Sequence, residues 1–529
     1  MKRMICSVAL LVAAVPAFAA QPLPDFMVSG ASVEAEVVGT PRDAGTRAAE
    51  MQALQQQLAA SRVEKALNQP VVVQLTATER ARIDDVNRVE KRYQVGISRK
   101  LGSSVNFSSV GTLGGRETNL NLGAARATRD GFVWTAAVKV PGATALRLHL
   151  TGVDLAAGTQ LYVYNLAGQA FGPYTGRGPL GTGDLHTNTV FGEQILLQVH
   201  SKVDAERAPR FTVAEVGVMG ARFAVPRYGA KGVLDLDKIK GASAQASNLC
   251  SNNADCIVNA ACQSSSVVNT VKDAIASILF QSGSSYYICT GGLIADAVTT
   301  SVIPFFLTAN HCISTATEAS SVETYFDYET TCSNPNCTQP YNNVGDTVGS
   351  TLKAGSSTTD VTLLQLSSAP TTPDGVAAYL GWTTTAVANT NNLALYRISH
   401  PAGSPQAYTE GVVDTTKGTC RTLSRGNFIY SRDTLGGTEG GSSGSPVVNA
   451  SSQIVGQLYG ACGTNVNDSC DSASNATVDG AFAVSYNVLA AHLSPGSGGG
   501  CGAKGTSCTS NSQCCSNSCK GPNGNKTCK

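Results

Sequence analysis

Between Cys6 and Cys250 the chain has no cysteine. A stretch of that length cannot be a disulfide scaffold and has to hold its fold with an apolar core. No repeated C-x2-C pair of the kind that builds a structural zinc site occurs anywhere, so the later cysteines do not read as metal ligands, and no metal or cofactor is expected. After the first residues no run approaches the roughly 20 apolar residues of a membrane span. The basic residues are dispersed and form no nucleic-acid-binding motif. These absences leave a soluble protein that acts neither on a membrane nor on nucleic acid.

The chain has 529 residues, of which 42% are hydrophobic. That length predicts two or three domains with ordinary cores. Lys2 and Arg3, the apolar run from Cys6 to Val15 and the small-residue pattern Ala17-Phe18-Ala19 read as an export signal over 1–19. Sixteen cysteines lie between Cys250 and Cys528. An even number confined to one half predicts disulfides formed in an oxidising compartment, and so a secreted protein. Charge divides at the same place. Residues 1–240 hold 27 Lys and Arg against 20 Asp and Glu, a net +7, whereas residues 241–500 hold 7 against 17, a net −10. Opposite signs predict that the two parts attract each other.

An unstructured start is expected over 21–41. Met51, Leu54, Leu58 and Val63 have helical spacing within 44–67. Strand patterns follow at Val71–Leu75, Phe132–Val138, Leu146–Leu150, Leu161–Tyr164 and Ile195–Val199, separated by Gly-rich turns. Residues 100–222 therefore read as a small β-sandwich. The junction 223–249 offers Lys231, Lys238 and Lys240 as cleavage points. A second β-rich domain is expected from Cys250 to about Val488, closed by a helix at Tyr486–Leu493. Residues 494–500 are a Gly/Ser linker. The last part, 501–529, carries Cys501, Cys508, Cys514, Cys515, Cys519 and Cys528 in so short a stretch that disulfides would have to hold it.

The chemistry concentrates in three separated segments. Leu307-Thr308-Ala309-Asn310-His311-Cys312 places a histidine at the end of an apolar run. Asp360 opens the alternating segment Val361-Thr362-Leu363-Leu364. Gly441-Ser442-Ser443-Gly444-Ser445-Pro446 sets a serine in a glycine turn. A serine hydroxyl is a poor nucleophile unless a base stands beside it and a third group orients that base. Of the histidines after residue 240, His400 precedes a proline in a turn and His492 adjoins the linker, which leaves His311 as the base. Asp360 is preferred over Asp327, Asp346 and Asp374 because the strand it opens would hold it rigidly.

Together with Cys289-Thr290-Gly291-Gly292-Leu293-Ile294, Tyr325-Phe326-Asp327-Tyr328, Ile398-Ser399-His400-Pro401 and Gly456-Gln457-Leu458-Tyr459-Gly460, these segments resemble the chymotrypsin-like serine proteases, most of all the bacterial lysyl endopeptidases. The resemblance covers Cys250 to about Tyr486. It implies an all-β fold of two six-stranded antiparallel barrels for 241–493; the preceding 20–240, a helix plus β-sandwich, are expected to be a pro-region. It implies a triad of Ser443, His311 and Asp360, an oxyanion hole at the N–H groups of Gly441 and Ser443, and substrate binding along Leu458, Tyr459 and Gly460. The implied disulfides are Cys289–Cys312, Cys256–Cys332 and Cys250 with Cys462 or Cys470. The tail resembles a knottin, which implies Cys501–Cys515, Cys508–Cys519 and Cys514–Cys528.

Two positions depart from the pattern. Ser442 stands where digestive members carry the aspartate that receives a new N-terminus, so activation is expected to run through the pro-region instead. The primary-pocket aspartate of lysyl endopeptidases aligns near Thr477. Glu439, Asp468, Asp471 and Asp479 are then the candidate sources of charge for a Lys or Arg preference. The expected protein is a secreted monomeric serine endopeptidase acting on proteins and peptides and partnered by its own pro-region. The alternatives are a catalytically silent protease-like binding protein and an inhibitor or binding protein acting through the tail.

Overall fold

The computed structural model describes residues 31–43, 45–85, 92–107, 116–202, 208–223, 249–250, 253–298, 302–333, 335, 337, 345–420, 422–495, 519–521 and 526–528. The chain is mostly β, with 45% strand and 14% helix. The export signal, Lys231, Lys238, Lys240 and most of the Cys-rich tail lie outside the described residues. So do the three disulfides expected in the tail, of which only the backbone pairing Cys519↔Cys528 is described. Among the described residues no helix is long and apolar enough to cross a membrane.

The N-terminal half is a two-sheet sandwich. One sheet runs in the order Ala170–Tyr174, Thr159–Tyr164, Gln194–Lys202, Gly131–Lys139, Gly123–Thr128, Thr118–Leu120. The other runs Leu185–His186, Ala145–Asp154, Arg210–Met219, Tyr93–Asn106. Alternating residues of both sheets meet in one core: Trp134, Ala136 and Val138 from the first, Leu146, Leu148 and Leu150 from the second. The period-2 pattern at 146–150 thus faces inward as its spacing predicts. A helix over Gly45–Ser61 lays Met51 and Leu58 inward, and a short second helix, Glu64–Leu67, follows. The strand expected over Val71–Leu75 is only Val71–Val72.

The C-terminal half contains two barrels. The first uses β1 (Ile275–Ser282), β2 (Ser285–Leu293), β3 (Phe305–Ala309), β4 (Glu323–Phe326), β5 (Gly345–Val348), β6 (Ser350–Ser356) and β7 (Val361–Leu366). β5 pairs β4, and β6 pairs β7. The break between them at Gly349, which has φ +83°, lets one bent strand reach both ends of an otherwise open sheet. The second barrel uses β8 (Ala394–Ser399), β9 (Ala407–Val413), β10 (Phe428–Leu435), β11 (Pro446–Val448), β12 (Ile454–Gly463) and β13 (Asn475–Ala481). The order β12-β11-β8-β9-β10-β13 closes on itself through a β12–β13 pairing. The helix Phe482–Leu493 begins four residues earlier than the pattern at 486–493 suggests.

The two halves are not separate bodies. Tyr93–Asn106 pairs with β2, so the second sheet of the sandwich runs directly into the first barrel. The stretch expected to be an unstructured start holds two strands, Ser32–Val33 on Trp382–Thr383 and Glu36–Gly39 on Val376–Tyr379. Buried between the halves, Glu323 accepts from Thr189 N at 2.9 Å and Thr189 Oγ1 at 2.6 Å. Arg147, also fully buried, lies 3.6 Å from it and donates to Ser321 O at 2.7 Å. A buried carboxylate needs this density of donors to offset its desolvation.

Five disulfides pair all ten cysteines from Cys250 to Cys470: Cys250–Cys337, Cys256–Cys470, Cys262–Cys332, Cys289–Cys312 and Cys420–Cys462. Two expected pairs are corrected. Cys256 is bonded to Cys470 rather than to Cys332, because the 464–475 loop folds back beside the segment that starts the domain and brings the Cα atoms to 5.5 Å. Cys250 is bonded to Cys337 at a Cα separation of 5.9 Å, and neither Cys462 nor Cys470 is its partner. Cys462 instead faces the 420–423 turn, packed with Leu423 and Tyr430, and bonds Cys420.

Candidate active site

Register brings His311 and Asp360 together. β3 and β7 pair with Thr308↔Thr362 and Ala309↔Val361. The next residues outward, Asn310 and Asp360, therefore face each other, and Asn310 N donates to Asp360 O at 2.8 Å. His311 then turns its ring onto the carboxylate, with Nδ1 2.6 Å from Asp360 Oδ2 while its backbone N donates to Oδ1 at 2.7 Å. Both oxygens are used, which fixes the carboxylate and assigns the Nδ1 proton to the side facing it. Asp360 has φ +57°, a left-handed conformation that Asp tolerates better than most side chains. Disulfide Cys289–Cys312 ties the residue after His311 to β2.

The serine turn is held from several sides. Thr290 N donates to Ser443 O at 2.8 Å, Gly444 N to Leu458 O at 2.9 Å and Leu458 N to Ser445 O at 3.0 Å. Thr290 Oγ1 donates to Gly441 O at 2.8 Å. The glycines are required on two counts. Gly441 and Gly444 have φ +100° and +85°, and a Cβ at either would lie 2.8 Å from His400 O or 2.3 Å from Thr308 Oγ1. Ser442 is fully buried, receiving a hydrogen bond from Ser399 Oγ at 3.0 Å, while Ser443 is partly exposed. Cys312 Sγ lies 3.8 Å from Ser443 O, so the residue following His311 adjoins Ser443. The N–H groups of Gly441 and Ser443 have no acceptor among the described residues. That leaves two donors free to receive an oxyanion.

The other histidines have structural roles. His400 is fully buried, stacks on Tyr328 and donates from Nδ1 to Ser404 O, and burial pushes its pKa down to about 4. His492 donates to Lys353 O. Asp327, a rival acid, gathers with Asp374, Asp273 and Glu329 away from the ring, and burial beside those carboxylates pushes it up to about 8.

The residues expected to bind substrate line one strand. Leu458 is buried and latched to the serine turn, Tyr459 meets the His311 ring edge-on at 5.9 Å, and Gly460 has open space on its Cβ side. The four acidic specificity candidates are all engaged elsewhere. Glu439 accepts from Asn253 Nδ2 at 2.8 Å and Ala254 N at 2.9 Å, so it anchors the start of the domain to the serine turn. Asp468 and Asp471 cap turns of their own loop. Asp479 is fully buried against Arg397 at 2.6 Å. Thr477 donates to Asp433 Oδ2 at 2.8 Å.

Sequence reasoning missed Asp433, Arg397 and the approach of the N-terminal half. Arg92 donates from Nε to His311 O at 2.5 Å and from Nη2 to Cys312 O at 3.2 Å. Its next neighbour, Tyr93, packs on Gly440, where an added Cβ would lie 2.9 Å from the ring. Arg397 carries a detectable signal, a lone cation within the apolar strand Leu395-Tyr396-Arg397-Ile398.

Residues 246–475 match the family described as lysyl endopeptidase, C-terminal domain. This is under half of the chain, and it includes His311, Asp360 and Ser443. A lysyl endopeptidase of Pseudomonas aeruginosa is 31% identical over 218 residues, covering 39% of this chain and 45% of that protein. The chain therefore spans less than half the length of this relative. Among solved structures, an HtrA-type protease with a tripeptide is 15% identical over 46% of this chain and 67% of its own, with a TM-score of 0.31. A serine endoprotease from Yersinia pestis is 15% identical over 44% and 66%, with a TM-score of 0.28. Structural likeness at that level carries no weight. The sequence matches support a serine protease in the C-terminal half.

Proposed function

We propose that the chain is an exported serine endopeptidase, made as a precursor whose N-terminal half is a pro-region and whose 501–529 tail is a knottin-like appendage. The carrying observation is the His311–Asp360 pair with the serine turn adjoining the next residue, Cys312, and with two free N–H donors on that turn. Ser443 Oγ attacks the scissile carbonyl as its proton passes to His311 Nε2. Asp360 holds the Nδ1–H and stabilises the imidazolium that forms. The N–H groups of Gly441 and Ser443 receive the oxyanion. His311 then protonates the leaving amine, and a water repeats the sequence on the acyl-enzyme to release the acid. A preference for Lys or Arg on the acyl side of the cleaved bond is proposed from the lysyl endopeptidase similarity. Five disulfides fit secretion into an oxidising compartment.

Latency follows from Arg92 and Tyr93. While the N-terminal half is attached, the His311 turn and the serine turn each carry one of its side chains. Cleavage in 224–248 lets that half leave. The proposal is tested by hydrolysis of a Lys-containing peptide library by the processed protein. Cleavage by the wild type and none by Ser443→Ala is expected. Equal cleavage by both rejects the reading.

A further inference from the structure

We propose that Asp433 determines specificity: its carboxylate receives the cationic side chain of a lysine or arginine next to the bond being cut. The inference rests on the proteolytic reading above and names the residue that would select the substrate.

Placement comes first. β10 and β13 pair with Ser431↔Thr477, and Asp433 is two residues beyond Ser431 on the same face of β10. Thr477 reaches across to it. Across the next pairing Thr477 stands opposite Ala461, and Val478 opposite Gly460, on β12. The stretch of β12 just before these residues is the one hydrogen-bonded to the serine turn through Leu458. Serine turn, β12, β13 and Asp433 thus succeed one another around one end of the second barrel. Gly460 leaves that wall without a side chain, and nothing lies within 4 Å of where its Cβ would be.

Charge comes second. Asp479 is two residues beyond Thr477 on the same face of β13, yet it is sealed and neutralised by Arg397. Arg397 also approaches Ser445 Oγ from Nη1 at 3.4 Å, on the serine turn. Asp433 differs on each count. It is partly exposed, one oxygen accepts from Thr477, and Oδ1 has no hydrogen-bond partner among the described residues. Asp433, Asp479 and Arg397 together leave one net negative charge, and it rests on the group that solvent reaches. A primary ammonium or guanidinium entering there gains a charge-assisted hydrogen bond to Oδ1. Desolvation pushes Asp433 up to about 6, so it is ionised at neutral pH but poorly compensated, the condition that an incoming cation relieves.

The test uses the processed enzyme with paired peptide substrates carrying lysine or its neutral isostere norleucine before the cleaved bond. Labelling of Ser443 by an uncharged fluorophosphonate serves as a control. Asp433→Asn is expected to lose about 100-fold in kcat/KM on the lysine substrate, to change little on norleucine, and to label normally. Asp433→Glu should keep the cationic preference. In the wild type, benzamidine should inhibit competitively, and this needs no variant to fold. An unchanged lysine preference in Asp433→Asn, or no preference in the wild type, overturns the proposal. Failure of wild-type Ser443 to label overturns the proteolytic reading instead.

Discussion

The two halves are built from the same secondary structure and held by different means. The sandwich has no cysteine and rests mainly on one large apolar core from Met51 to Val218, joined by Val348 of the first barrel, with two small clusters beside it. The double barrel divides its apolar residues among several smaller clusters and adds five disulfides. Two of its cross-links restrain segments near the site: Cys289–Cys312 beside His311, and Cys256–Cys470 between the start of the domain and the 464–475 loop. On the proposed reading the barrels keep an exposed catalytic cleft outside the cell, where covalent restraint of the loops is of use. A part that acts once and is removed does not need it. The difference in construction therefore mirrors the proposed difference in lifetime.

The largest expected effect concerns the site that only one half carries. Asp360→Asn should lower kcat on peptide substrates by about 10^4-fold, because the amide favours the wrong tautomer of His311, while the thermal stability of the sandwich stays unchanged. A small kinetic effect would separate Asp360 from the chemistry. Next comes the joint. Glu323→Ala leaves Arg147 buried without its counter-charge and the Thr189 donors without their acceptor, so the assembled precursor should lose about 3–5 kcal/mol in denaturant titration. A loss under about 1 kcal/mol would mean that the halves are held by strand pairing alone. Removing Cys289–Cys312 by Ala substitution at both positions should cost about 3 kcal/mol for a loop of this size. A reducing agent should lower the melting transition of the barrels and leave that of the sandwich in place.

Acidity should distinguish the halves with opposite sign. In the barrels, burial beside like charge pushes Asp327 up to about 8 and Asp273 up to about 6. A carboxyl raised in the folded state contributes stability below its unfolded pKa near 4 and loses it as pH rises through the folded value. Asp327 faces Asp374, Glu329 and Asp273. Asp327→Asn should therefore raise the barrels' melting temperature at pH 8 and do little at pH 4. In the sandwich, burial lowers His186 and His200, and hydrogen bonds from Thr76 lower Glu79. These groups favour the fold above their unfolded pKa values and lose that contribution as pH falls, so acid should loosen the sandwich first. Asp433 adds a smaller effect on activity. The ratio of lysine to norleucine cleavage should rise through about pH 6 as Asp433 ionises between Arg397 and Asp479.

What could be read from the chain was what is local. The inward alternation at 146–150, the helix at 45–61 and the strand over 131–139 each follow from a periodicity within a few residues. The neighbourhoods of His311, Asp360 and Ser443 were legible for the same reason: an apolar strand before the base, a strand after the acid, glycines about the serine. What escaped depends on pairing across distance. Ser32–Val33 is a strand only because Trp382–Thr383 lies beside it, about 350 residues on. Cys470 meets Cys256 across 214 residues. Asp433 sits in an unremarked run, Ser431-Arg432-Asp433, and gains meaning only from Thr477 on the next strand. Glu439 carries charge in the right segment, but both its oxygens are engaged in anchoring Asn253 and Ala254.

The central claim is that one half is the catalyst and the other its removable clamp. Intact-mass measurement after fluorophosphonate treatment tests it most directly, applied to the precursor and to the cleaved protein freed of residues 1–240. The account predicts one adduct per cleaved molecule, located on Ser443, and little or none on the precursor while Arg92 and Tyr93 hold the two turns. Equal adduct formation on both forms, or an adduct that persists in Ser443→Ala, would contradict it.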